Sequence, residues 1–234
     1  MQKVAEHPLN MDEIFEDNIL AVIDNICASS QMPPEYLVTT LLPAVGHYVN
    51  GSQIRSNTGA PTNIAFFTTI IGYPSVNKSS ATEAILSACL IIEKQLGIKP
   101  EECDVNYSAT VESLLTELKN TSSMLIQIWD EAVTLLQSFD LYKQEGAAYD
   151  RLIMYTLYNT SSIVKRQKKS GNVTVEGPVL NITAAAHPSD ILSSTSSTVS
   201  LQLIIMRCAE QMTRFQRSCT LTPKVLRRHD DLPS

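Results

Sequence analysis

The chain has 234 residues, 44% of them hydrophobic and 18% charged, with a formal net charge of −6. A chain of this size makes one large domain or a core with a small appendage, and buries about 70% of its unfolded surface without disulfide staples. The composition excludes a disordered chain. Apolar runs are broken, as at Glu93-Lys94, before the ~20 residues of a membrane span, and the acidic start (Glu6, Asp12, Glu13, Glu16, Asp17) is unlike a cationic secretory signal.

Cys27, Cys89, Cys103, Cys208 and Cys219 are scattered, with no CxxC and no Cys/His pairing. Neither a zinc site nor a disulfide framework is expected, and reduced thiols in an intracellular compartment, cytoplasmic or nuclear, are the simplest reading. Charge is uneven along the chain. Lys165, Arg166, Lys168 and Lys169 enclose no acid, and from residue 207 onward Arg207, Arg214, Arg217, Lys224, Arg227 and Arg228 outnumber Glu210, Asp230 and Asp231. Global acidity argues against tight non-specific nucleic-acid binding, while these patches leave local contact open.

In chain order, residues 11–30 predict an amphipathic helix with Asn10 and Glu13 in a capping-box-like arrangement and Ile19, Ile23, Ile26 and Cys27 on its inner face. A second helix starts at Pro33-Pro34, and Pro43 is expected to end or kink it. Residues 51–61 are turn-rich, with Ile54 on a short hairpin strand. Residues 63–71 read as a strand apolar on both faces, as in a parallel sheet. Residues 78–96 predict a helix with Ile85, Ala88, Cys89, Ile92 and Leu96 at helical spacing, closed by Gly97.

A short strand near residues 103–107 precedes a helix over 111–119 started by Ser108 or Thr110. Residues 124–129 predict a buried strand ending at Asp130-Glu131, and helices follow from Ala132 and over 147–158. Residues 163–166 and 172–176 flank a basic tip and read as a β-hairpin. Residues 179–185 and 201–206 are further strands. The alternation predicts an α/β fold with a mainly parallel sheet, divided as an N-terminal helical segment (1–50), a core (51–206) and a basic C-terminal segment (207–234).

After the first central strand, Gly72, Lys78 and Ser79 match the phosphate-loop pattern G-x-x-x-x-G-K-[S/T] at the correct spacing, and Asn77 stands where that pattern has its second glycine. Such a loop curls backbone N–H groups around a polyphosphate and delivers it to a helix N-terminus. Lys78 would neutralise β/γ oxygens, and the Ser79 hydroxyl, followed by Ser80, would ligate Mg²⁺. Asn tolerates left-handed angles best after glycine, but its bulk would crowd a phosphate. The same residues also fit a polar turn in which Asn77 or Ser75 caps a helix.

Asp130 and Glu131 close an apolar strand, where α/β sheets bind ligands. Asp130 would hold the Mg²⁺ shell and Glu131 would polarise water as general base. Acids placed for a helix dipole are the plainer alternative. Between Lys78 and Asp130 there is room for one helix, one strand and one more helix, and a strand intervening between the two motif strands, with Glu directly after Asp, is the arrangement of RecA-like and AAA-type ATPases.

Gly72-x4-Asn-Lys-Ser, the segment from Ser108 to Leu115, Ile126 to Ala132, Ser162 to Pro178 and the strand ending at His187-Pro188 occur in an order that resembles an uncharacterised family of RecA-like P-loop domains, found in primase–helicase-like proteins of phages, plasmids and mobile elements. The likeness covers about residues 15 to 215, and only the two nucleotide motifs are specific. It implies a RecA-like P-loop NTPase core flanked by helices. It also implies Mg²⁺ and ATP as cofactors and helicase-like work on single-stranded DNA or RNA in a ring or other oligomer. By position it makes His187 a sensor of the γ-phosphate and Arg166 a family basic residue. No primase or zinc module precedes the domain, so the chain reads as a fragment or stand-alone remnant.

Lys165, Arg166, Lys168 and Lys169 fit phosphate contacts or a solvated hairpin tip equally, and Arg166 also fits an arginine finger on a neighbouring subunit. His187 fits a structural loop histidine as well as a sensor, and Trp129 fits the core. Three functions compete: a Mg²⁺-dependent ATPase coupled to nucleic-acid remodelling; a non-catalytic, degenerate P-loop module with Asn77 as the lesion; and a small-molecule or nucleotide kinase. The last is disfavoured by the lack of an Arg-rich lid and by an Asp-Glu pair suited to activating water.

Overall fold

A computed structural model describes residues 10–49, 51–55, 61–106, 111–138, 146–159, 161–168, 171–189 and 191. Its helices are α1 (Asp17–Ser30), α2 (Pro34–Tyr48), α3 (Lys78–Gln95), α4 (Val111–Asn120), α5 (Ala132–Ser138) and α6 (Gly146–Tyr158). The strands are β1 (Gln53–Arg55), β2 (Pro61–Asn63), β3 (Phe67–Ile71), β4 (Val105–Asn106), β5 (Met124–Trp129), β6 (Ile163–Lys168), β7 (Gly171–Glu176) and β8 (Val179–Ala186). The fold is α/β. Four strands pair in parallel in the order β3-β8-β5-β4, while β1-β2 and β6-β7 are separate antiparallel hairpins.

Strand alternation divides two cores. Leu125 and Trp129 of β5, with Leu180, Ile182 and Ala184 of β8, pack with α4, α5, α6 and the β6-β7 hairpin. Ile126 and Ile128 face the other way, toward α1, α2 and α3. Helices therefore cover both sides of the sheet, which is why β5 and β8 read as continuous apolar runs. All eight residues of β8 are buried. Leu180 and Leu157 are fully buried, each contributing roughly 1.5–3 kcal/mol by transfer from water.

The second core contains a polar seam. Asn181 of β8 accepts the Phe66 N–H at 2.8 Å, and Thr68 lies 3.2 Å from Thr183, oxygen to oxygen. Helix α2 packs on this seam through Gly46, where an added Cβ would sit 2.6 Å from Asn181 Oδ1 and 2.9 Å from the Phe66 ring. Gly46→Ala is expected to destabilise the fold by about 1–3 kcal/mol, as overpacking of cores does. A thermal melt lowered by roughly 2–4 °C per kcal/mol checks this, and an unchanged melting temperature would refute the close approach.

Several expectations are corrected. The helix expected over 11–30 breaks after a single 3-10 turn at Met11–Glu13, and α1 begins at Asp17. Asn10 and Glu13 meet side chain to side chain at 2.8 Å, and the bend lets Met11 and Phe15 both pack on the core. On α1 only Ile23 and Cys27 are buried, whereas Ile19 and Ile26 are 45% and 37% exposed. Helix α2 runs through Pro43 to Tyr48, held by its packing on β3 and β8.

The strand expected over 63–71 is two pieces, β2 and β3. The intervening backbone bonds elsewhere, Ile64 N–H to Ser52 O and Phe66 N–H to Asn181. On α3, Ala88 is exposed and Leu96 is 65% exposed, while Glu93 is buried beneath the Tyr48 hydroxyl, 3.3 Å from Glu93 Oε1.

Other elements fall as expected: α3 from Lys78 with Gly97 at φ +74°, β5 over Met124–Trp129, and the β6-β7 hairpin. The proposed strand over 201–206, the caps Ser108 and Thr110, and the basic segment 207–234 lie outside the described residues. Among the described residues no helix is long and apolar enough to cross a membrane.

Candidate functional site

Parallel pairing brings the carboxyl ends of three strands together. Ile71 of β3 pairs with Ala186 of β8, and Trp129 of β5 pairs with Ala184. The continuations of these strands, loop 72–77, Asp130-Glu131 and His187, meet at one concavity of about 680 Å³. Lys78, Ser79, Asn77 and Ser75 line it from one side and Asp130 and Glu131 from the other. The loop strand and the acidic strand are not neighbours, because β8 lies between them.

The loop is shaped by three features. Gly72 N–H continues the ladder to Ala186 O at 3.1 Å. A Cβ on Gly72 would lie 2.8 Å from Val76 Cγ2 and 3.3 Å from Lys78 Cδ, so any side chain there would have to displace Val76. Ser75 (φ 65°) and Asn77 (φ 61°) are left-handed, with Val76 between them outside that region. Alternating handedness of this kind turns successive N–H groups toward one side, the geometry of anion-binding nests.

Lys78 opens the 18-residue α3 and reaches back over the loop. Its ammonium donates to Gly72 O and Tyr73 O, both at 2.8 Å. An ammonium has three N–H donors, so one is left for an anion. The positive end of the α3 dipole lies at the same place.

Asn77 does not stand as a bare replacement for glycine. Its Nδ2 donates to Ser30 O at 2.5 Å and to Gln31 O at 3.1 Å, at the end of α1. Its Oδ1 accepts the Ser80 hydroxyl at 2.5 Å. Ser80 is thereby engaged with the loop's own asparagine, while Ser79 is exposed at the concavity.

Across the concavity, Asp130 is tied to the first turns of α3. The Thr82 hydroxyl lies 3.1 Å from Asp130 Oδ1 and 3.0 Å from Ser79 O. Glu131 is exposed on the same wall. His187 accepts the Ser189 N–H at Nδ1 (3.3 Å), with Ser189 Oγ 2.6 Å from the same nitrogen. The neutral ring then carries its proton on Nε2. It also meets the Tyr73 ring edge-on, with centroids 5.6 Å apart.

Gln31, Thr82 and Tyr73 are site residues that sequence reasoning missed. Thr82 is one helical turn beyond Lys78, a spacing that could have found it. Nothing local marks Gln31 or Tyr73. Among the described residues, Lys165 and Arg166 do not line the concavity. Lys165 is exposed. Arg166 pairs with Asp150 of α6 at 3.2 Å, both side chains largely buried. Lys168 ends β6, and Lys169 lies outside the described residues.

Among the described residues no three His, Cys, Asp or Glu side chains converge as a metal cage. Mg²⁺ commonly takes one or two carboxylates plus substrate phosphates and waters. Asp130 and the Ser79 hydroxyl, on one concavity with a lysine, are the oxygen groups that could serve that mode of binding. Compared with models of known protein families and with curated proteins, the chain matches none.

Proposed function

We propose that the chain is a Mg²⁺-dependent nucleoside triphosphatase of RecA-like P-loop type, preferring ATP and coupled to remodelling of single-stranded DNA or RNA. One observation carries it. The Lys78 loop and the Asp130-Glu131 pair, from strands separated by β8, line the same concavity at the carboxyl ends of a parallel sheet. Polyphosphates bind at such a place, where loop amides and a helix N-terminus converge.

Each side chain has a defined task. Lys78 uses its remaining N–H to hold a phosphate oxygen, and the loop amides share the negative charge. Ser79 and Asp130 would hold Mg²⁺, whose bound charge neutralises the polyphosphate. Thr82 fixes the Asp130 carboxylate for that purpose. Glu131 orients a water and takes its proton. His187, with its proton on Nε2, offers a donor from the intervening strand. The engagement of the Asn77 carboxamide with α1 and Ser80 favours a working loop over a degenerate one.

The exposed Lys165 and the neighbouring Lys168 and Lys169 are the residues best suited to phosphates of a nucleic acid. Arg166 is held by Asp150 of its own chain. Assembly into a homo-oligomer belongs to the same proposal. The decisive assay is phosphate release from Mg-ATP by the full chain, with and without single-stranded DNA. Turnover that depends on Mg²⁺ and rises several-fold with DNA is expected. Turnover unaffected by DNA would remove the remodelling half, and no turnover beyond the buffer rate would remove the enzyme.

A further inference from the structure

Asn77 has three partners whose arrangement is specific. Ser30 and Gln31 end α1, where the last carbonyls of a helix have no partner within it. Gln31 is itself left-handed (φ 51°), and its N–H turns back to Cys27 O. Two of the carbonyls at this helix end, those of Ser30 and Gln31, are bound by Asn77 Nδ2, 47 and 46 residues away along the chain. The two carbonyls can only accept, so they fix which end of the amide is nitrogen, and its oxygen at the opposite end accepts the Ser80 hydroxyl. Gln31 lines the concavity beside Asn77.

We infer that Asn77 is a positioning residue that clamps the phosphate loop to the C-terminus of α1, so that the N-terminal helices set the shape of the loop before nucleotide arrives. This inference rests on the nucleotide site proposed above and concerns how that site is organised. Glycine at the same position adopts φ 61° freely, but it also adopts many other conformations and donates to nothing. Restoring the motif's glycine therefore loosens the loop. Coupling is reciprocal: a ligand that orders the loop also orders the last turn of α1.

The test uses the full chain and its Asn77→Gly variant. Steady-state hydrolysis of Mg-ATP is measured beside thermal melting, and hydrogen exchange is followed with and without Mg-ATP. In the variant, KM is expected to rise about tenfold with kcat within about twofold, since pre-organisation chiefly sets ground-state binding. In the wild type, nucleotide slows exchange in residues 28–32, and in the variant it does not. Asn77→Asp keeps the left-handed preference and the acceptor for Ser80 but has no donor for α1, so it must also lose the slowing.

An unchanged or lower KM in Asn77→Gly, or slowing that persists in both variants, would overturn the clamp. So would a variant that melts early and loses kcat without a change in KM, because that is a merely structural role. Failure of the wild type itself to bind or turn over nucleotide would overturn the site assignment, a separate and recognisable result.

Discussion

Replacing Lys78 by alanine is expected to abolish Mg-ATP binding, with affinity reduced at least about a hundredfold and hydrolysis lost. Two effects add. The substitution removes a charge-assisted donor to phosphate, roughly twice as strong as a neutral hydrogen bond. It also removes the two 2.8 Å bonds by which the ammonium holds Gly72 O and Tyr73 O. A planar guanidinium on a longer stem does not reproduce the compact ammonium's two bonds to Gly72 O and Tyr73 O, so Lys78→Arg is not expected to rescue binding. Titration of a fluorescent ATP analogue reads the affinity directly. Equal affinities in wild type and Lys78→Ala would take the phosphate out of the loop altogether.

Glu131→Gln is expected to separate binding from turnover. The amide keeps the size of the side chain but cannot take a proton from water, and general-base catalysis contributes about 10²–10⁴-fold. A fall of that order in kcat with KM changed by no more than a few-fold is the expected pattern. Glu131 is exposed at the wall of the concavity, so the melting temperature should hardly move. A kcat within twofold of wild type would reassign the water-activating role to another group.

Much of this arrangement was legible in the sequence, for a physical reason. Strand β5 lies at the residues its apolar run predicted, because a strand covered on both faces by helices has no polar alternation to blur its ends. The site motifs were legible because a tight loop and a strand tip each confine their chemistry to a few consecutive residues. Other features were not. Ile19 and Ile26 have the spacing of an inner face, but spacing does not report how wide a stripe its neighbours cover. Pro43 does not end α2, because packing on the sheet outweighs a local helix defect. The partners of Arg166 and Asn77 are distant in sequence, so no local pattern announces them. The motif marks Asn77 only as a departure from glycine and gives no sign of its bonds to the end of α1.

Among the described residues, β8 is the last strand of the sheet to be synthesised, yet it lies between β3 and β5. It pairs with β3 across a separation of 115 residues at each step of their register, Phe67 with Ile182 among them. Until residues 179–186 leave the ribosome, the two motif-bearing strands have no bridge between them. Each then presents an open parallel edge of the kind that invites mispairing. Long-range parallel pairing is also slow to form. The chain is thus most exposed to aggregation in the interval before its central strand emerges, and a truncation just short of that strand would leave both halves of the cleft unjoined.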